Sequence, residues 1–281
     1  MRLVTVRTES GHRAAREDGD KLTLLPHEDI GAALWADDWT RELETAKGEE
    51  IDAARAELAP PILRPEKILC VGLNYRAHAD EAQMDVTNYP VLFAKFWRSL
   101  IGPQDEIMLP HVSSRVDWEV ELGVVIGRSV RYVDEAGARD AIAGFTVMND
   151  VSMRDWQTRT SEFLQGKTFE RSSPLGPRLV TPEEVDYAED LRIKCEIDGK
   201  VMQDSSTAQM LTTPVALISY ISQFITLVPG DIIATGTPSG VGAAMEPPQY
   251  LSSGQEVRAS IEGIGELVNV CVEDKVGALP A

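Results

Sequence analysis

Residues 116–123 read VDWEVELG, and their alternation puts Val116, Trp118, Val120 and Leu122 on one face of a strand. Asp117, Glu119 and Glu121 fall on the other. Side chains two apart on a strand are about 6.6–7 Å apart, where like charges repel by roughly 2–2.5 kcal/mol at an effective dielectric of ~20. Two arrangements relieve this. Either the acids line the wet face of an edge strand, or the face is buried and either something positive neutralises it or a carboxyl pKa rises. A further acid, Asp150, directly follows the apolar run GFTVMN. Carboxylates from two strand ends form an oxygen-only set that suits Mg²⁺, Mn²⁺ or Ca²⁺ rather than zinc. The spacing of a calcium-binding EF-hand loop is absent.

Other groups have the types that acid–base and anion chemistry need. His78 and Glu81 in GLNYRAHADEAQ are three apart, neighbours on one helical face. A histidine oriented by a carboxylate can act as a base near neutral pH, although a surface pair of this kind also arises without function. Arg154 and Gln157 follow Asp150 at four and seven residues, and Arg154 has Asp155 beside it as an alternative partner. Lys167 lies in the polar stretch QGKTFE, where a solvated surface charge is the plainest reading. Thr237 sits in the turn TGTPSGVG, which lacks the lysine of a phosphate-binding P-loop.

These groups need a scaffold of many short strands. KILCVGLN, EVELGVVIG, GFTVMND, LRIKCEIDGK, DIIATGT and QEVRASIEGIGELVNV read as strands separated by Gly, Pro and Asp turn signals. Helical stretches are expected at 74–85, 134–143 and 214–226. Without regular strand–helix alternation, the fold class is α+β, mainly β, and not a doubly wound parallel sheet. Residues 1–63 read as a small N-terminal domain with two strands and a helical segment, ADDWTRELETAKGEEIDAARAEL. The Pro-rich APPILRP leads from it into a larger domain, 64–281, and the smaller unit is expected to help dimerise or frame the site entrance.

The 281 residues are 43% hydrophobic, ordinary for a globular chain, and carry a formal charge of −18. That charge argues against nucleic acid and against an anionic membrane surface as partners. There is no apolar run long enough to span a bilayer, and MRLVTVRTES does not read as a secretory signal. Cys70, Cys195 and Cys271 are odd in number and far apart, which fits reduced thiols in a cytoplasmic protein.

In this order, DWEVELGVVIG, NDVSMRDWQ, QGKTFERSSPLGP and ATGTPSGVG resemble the fumarylacetoacetate hydrolase family over about residues 64–275. The resemblance implies a mixed β-sandwich roll, a homodimer and one Mg²⁺ or Mn²⁺ per chain held by Glu119, Glu121 and Asp150. Asp117 is not a ligand by this match and is either a supporting residue or exposed. The resemblance makes His78 and Glu81 a lid dyad that activates water. It puts Lys167 at the substrate's developing charge, Arg154 and Gln157 on the substrate, and Thr237 at the substrate carboxylate. The partner is then a small 2-oxo or dioxo acid.

The first activity implied is hydrolytic C–C cleavage of acylpyruvate- or fumarylpyruvate-like dioxo acids through an enolate. Oxaloacetate decarboxylation, or isomerisation or hydration of unsaturated 2-oxo acids, are the alternatives, with a non-catalytic metal-dependent binder as the reading from another class. Two segments depart from the family's pattern. Phe96, Trp97 and Arg98 stand where many relatives have Pro-x-Ser, and Glu170 and Arg171 follow Phe169 where many have Asp-Thr. Segments 95–100 and 169–173 are expected near the site entrance or in its supporting shell, with Arg98 and Arg171 either selecting a second substrate carboxylate or pairing with Glu170.

Overall fold

The computed structural model describes residues 1–275; the end of the larger unit, 276–281, lies outside the described residues. Its spine is the strand Val120–Ile126, antiparallel on one side to Ile142–Asn149 and on the other to Ile232–Ala234. Outward from Ile142–Asn149 the sheet continues through Ser173–Val180 and Arg2–Thr8 to the hairpin strands Gly11–Asp18, Lys21–Leu24 and Glu50–Asp52. In the other direction Ile232–Ala234 runs parallel to Ile68–Gly72, which pairs antiparallel with Val91–Lys95. A second, five-stranded sheet runs in the order Lys200–Ser206, Arg192–Ile197, Glu256–Ile261, Gly265–Glu273, Ile107–Leu109.

The two sheets pack face to face. Leu122, Val124, Phe145 and Val147 share one core with Ile193, Cys195, Val257 and Leu267. Every residue of Val120–Ile126 and Ile142–Asn149 is buried, because the reverse face is covered too. There Val125, Met148, Leu175 and Leu179 pack with Leu3, Leu25, Ile30, Leu34 and Ile62. A strand covered on both sides reads as a nearly continuous apolar run, which is the texture of GVVIG and GFTVM. The fold is α+β and mainly β, in mixed parallel and antiparallel sheets, as the sequence implied.

Three local expectations need revision. The expected helices are present but shorter, at Arg76–Glu81, Glu135–Arg139 and Pro214–Ser222. Of the segment 36–58, only Trp39–Thr45 is α-helical, and Glu50–Asp52 instead adds a strand to Lys21–Leu24. Gly48 makes that turn possible, since a Cβ there would stand 2.0 Å from the Leu24 carbonyl oxygen. The acidic strand is also not continuous: Val116–Asp117 pairs with Ser152–Met153, and the main strand begins at Val120. Across the break, side chains replace the ladder. Asn149 Oδ1 accepts the Glu119 N–H at 2.9 Å and Gln203 Oε1 accepts the Val120 N–H at 3.0 Å.

Candidate metal centre and active site

The register Val120↔Asn149 sets Glu119, Glu121 and Asp150 side by side, and the Asp150 N–H donates to the Glu119 carbonyl at 2.8 Å. All three side chains are buried, and each offers an oxygen within 4.8 Å of the others. The acidic face therefore points inward.

Cations surround it. Lys167 Nζ donates to Glu119 Oε2 at 2.6 Å and to Asp150 Oδ2 at 2.8 Å. Arg154 Nη1 lies 2.7 Å from Glu119 Oε1, and Lys95 Nζ donates to Asp150 Oδ1 at 2.6 Å. Lys167 reaches this depth because Gly166 lets its short helix touch Gln157, whose backbone N would be 2.4 Å from a Cβ. Burial pulls the Lys167 ammonium towards its neutral form, but Asp150 and Glu119 outweigh it and keep the group protonated. Burial likewise pushes the Glu119 carboxyl up, yet Lys167, Arg154 and His78 bring it down to about 2.

Glu121 differs. Its oxygen takes only the Gly236 N–H, at 2.8 Å, and burial followed by the charges of Asp150 and Glu119 pushes its carboxyl well above the usual range. It is the triad's uncompensated acid.

This arrangement fits a hard divalent cation. The donors are all carboxylate oxygens, and Glu121 calls for more positive charge than nearby Lys167 supplies. Tyr75 Oη, Asn149 Nδ2 and Arg154 Nη2 are also buried without partners. Tyr75 feels the Glu121 charge, and the other two belong to side chains bonded to Glu119. Of the three, Arg154 lines the cavity described next, where its Nη2 suits an oxygen of water or substrate.

A cavity of about 570 Å³ opens onto the triad and is lined by His78, Glu81, Arg154, Gln157, Lys167 and Thr237 among others. Glu119 and Glu121 reach its wall, so residues read from five separate stretches meet at one place, while no residue of 1–63 lines it. His78 Nδ1 is 3.3 Å from Glu81 Oε2. Glu81 also accepts the Gly240 N–H, at 2.9 and 3.1 Å to its two oxygens, which seats the helix Arg76–Glu81 on the 235–244 turn. Thr237 faces the cavity, but its hydroxyl donates to the Val120 carbonyl at 2.9 Å and accepts from Gln203 at 2.8 Å.

The sequence left Asp117 open and missed Lys95, Tyr75, Asn149 and Gln203. Asp117 is fully buried and bonded to Arg154. Lys95 stands out only as a charge closing the apolar strand VLFAK. The departing segments do not face this cavity. Trp97, Arg98, Glu170 and Arg171 line a separate hollow of about 400 Å³ together with Arg64. There Arg98 pairs with Glu170 at 2.9 Å, one of the two expected outcomes. Cys70, Cys195 and Cys271 are buried free thiols. Among the described residues no helix is long and apolar enough to cross a membrane.

Comparison with known proteins adds three findings. Residues 67–272 match the family model described as fumarylacetoacetate (FAA) hydrolase C-terminal. The Bos taurus protein named oxaloacetate tautomerase FAHD2A, mitochondrial, is 48% identical over 214 residues, covering 75% of this chain and 68% of that protein. Among solved structures, fumarylacetoacetate hydrolase from Exiguobacterium antarcticum superposes with a TM-score of 0.86 at 30% identity, over 98% of this chain and 100% of that one. A 5-carboxymethyl-2-hydroxymuconate delta-isomerase from Mycobacterium smegmatis gives 0.81 at 33%, with the same coverage.

Proposed function

Since the chain belongs to the fumarylacetoacetate hydrolase family, we propose that it is a Mg²⁺- or Mn²⁺-dependent isomerase that interconverts the keto and enol forms of a 2-oxo dicarboxylic acid of the oxaloacetate type. The observation that carries this reading is one cavity holding a His–Glu dyad at the lid and a buried acid triad flanked by Arg154 and Lys167. Enolisation needs just these parts: a base at C3, and positive charge at the 2-oxo oxygen and the carboxylate.

Glu119, Glu121 and Asp150 would hold the cation, which when bound supplies Lewis-acid polarisation of the 2-oxo group. Arg154 and Lys167 meet the substrate's negative oxygens, and Gln157 adds a donor beside Arg154. Glu81 holds His78 Nδ1, leaving Nε2 as the basic atom. Nε2 removes the C3 proton, the C3–H pair becomes the C2=C3 bond, and the carbonyl π pair moves to oxygen. Transfer of the proton from Nε2 to that oxygen gives the enol and restores the neutral imidazole, and the reverse sequence regenerates the ketone.

Loss of CO₂ from C3 leads through the same enolate, so oxaloacetate decarboxylation is the second reading. Acylpyruvate hydrolysis, which the sequence put first, has less support: a hydrolase is among the similar proteins named above, at 30% identity, but the isomerase is 33% identical and the tautomerase 48%. The homodimer implied by the resemblance remains part of the proposal. The test follows the ultraviolet absorbance of enol-oxaloacetate with EDTA-treated protein, with and without added Mg²⁺ or Mn²⁺. Metal-dependent decay of the enol faster than buffer and free metal is expected. A rate equal to those controls, with acetylpyruvate cleaved instead, would return the hydrolase reading.

A further inference from the structure

We infer that Asp117 is a positioning residue that fixes the guanidinium of Arg154, and that it ties this arginine to the turn on which the lid helix sits. Asp117 is fully buried, and four donors converge on its carboxylate. Oδ1 accepts the N–H groups of Trp118 at 2.8 Å and Gly242 at 2.7 Å. Oδ2 accepts the N–H of Ala243 at 2.9 Å and Arg154 Nε at 2.8 Å. A carboxylate buried this deeply persists only when its oxygens are satisfied and its charge is paired. Among the described residues Arg154 is the one side-chain cation on it.

The geometry decides what Asp117 does for Arg154. The guanidinium is planar, and two of its edges are already committed: Nε to Asp117, and Nη1 to Glu119 at 2.7 Å and Gln157 Oε1 at 2.9 Å. Two anchors on one rigid fork leave a single orientation. Nη2 is the nitrogen left without a partner. Removing the anchor at Nε frees the fork to turn about Glu119, and Nη2 then loses its fixed direction. Backbone pairing supports the same end, since Asp117↔Ser152 and the Arg154 N–H on the Arg115 carbonyl at 2.9 Å bring the two residues together.

The other half of the carboxylate reaches the lid. Gly242 comes so close that a Cβ there would stand 2.8 Å from Asp117 Oδ1 and 2.1 Å from the Gln249 carbonyl oxygen. Two residues earlier in the same turn, Gly240 holds Glu81 of the lid helix. One acid thus sets both the arginine on the substrate side and the seat of the lid. This rests on the assignment of Arg154 to the substrate made above.

The test is a double-mutant cycle on the full-length Mn²⁺-loaded protein with Asp117→Asn, Arg154→Gln and the pair. It reads the oxalate Kd by calorimetry, and KM and kcat for oxaloacetate. Asp117→Asn should raise the oxalate Kd and KM by about tenfold, the scale of one charge-assisted hydrogen bond, with kcat and the Mn²⁺ Kd nearly unchanged. The double variant should be no worse than Arg154→Gln alone, because the two act as one unit. Additive losses, or an Asp117→Asn protein with native oxalate affinity and KM, would overturn the inference. Oxalate binding needs no turnover, so a chain inert towards oxaloacetate sinks the proposed function while leaving this test intact. Should Asp117→Asn not fold, hydrogen exchange at Gly242 and Ala243 in Arg154→Gln decides: faster exchange supports the link, and native protection refutes it.

Discussion

Lys95 Nζ donates to Asp150 Oδ1 at 2.6 Å, and both side chains are fully buried. Breaking a buried pair from one side costs about 3–5 kcal/mol, because the remaining charge is stranded. Lys95→Met should therefore lower unfolding stability by roughly that amount. Saturating Mn²⁺ should recover more stability in this variant than in the wild type. Urea melts with EDTA and with Mn²⁺ check both; an unchanged melt in EDTA would mean that Lys167 alone suffices for Asp150.

Glu119→Ala removes one donor of the triad and the acceptor of two cations. Mn²⁺ affinity should fall by about 100-fold or more, a loss that even partners of metal ligands can approach. Electron paramagnetic resonance of free Mn²⁺ reads this directly. Native affinity would place the cation elsewhere.

His78→Ala should slow enolisation by about 10²–10⁴-fold, the usual scale for a general base, while oxalate still binds the Mn²⁺-loaded protein. Glu81→Gln has a broader effect, since Glu81 holds both the imidazole and the Gly240 N–H. It should raise KM as well as lower kcat. Steady-state kinetics of the two variants separate base from latch.

Arg98→Gln and Arg171→Gln should leave KM within about twofold of wild type, as surface changes away from a site shift energies by only ~0.5 kcal/mol. Both line the separate hollow rather than the cavity at the acid triad. A tenfold change in KM for a dicarboxylate would show that they reach the substrate after all.

Deleting residues 1–63 strips Leu3, Leu25, Ile30 and Leu34 from the face formed by Val125, Met148, Leu175 and Leu179. An apolar face of that kind seeks another cover, and the shortened chain should aggregate. Sedimentation of the shortened chain gives the answer; a well-behaved product with native kinetics would make the N-terminal segment an independent unit.

The alternation in DWEVE was enough to place three acids on one face, and the apolar runs on either side of the site were enough to place buried strands. Whether that face was wet depended on partners far along the chain, so spacing alone left it open. Asp117 is buried by Gly242 and Ala243, 125 and 126 residues away, and Asp150 by Lys95, 55 residues earlier. Composition misled at 36–58, where good helix formers are overruled by a strand pairing and the close turn at Gly48. The segments of Arg98 and Arg171 adjoin Lys95 and Lys167 in sequence, and Lys95 does support the triad, but the side chains of Trp97, Arg98, Glu170 and Arg171 turn into another hollow. Nearness along a chain is a poor guide where a strand ends and the backbone changes direction.

Within the 235–244 turn, four amides, those of Gly236, Gly240, Gly242 and Ala243, serve three acids: Glu121, Glu81 and Asp117. For protein engineering this makes the turn a part that cannot be resized. Adding or removing a single residue shifts the register of the amides, so the triad, the latch and the arginine clamp would be lost together. A campaign to change the accepted acid has room on the lid and around Gln157. Here it has the side chains of Val241, Ala243 and Ala244, which line the cavity, to vary on a backbone that must keep its length.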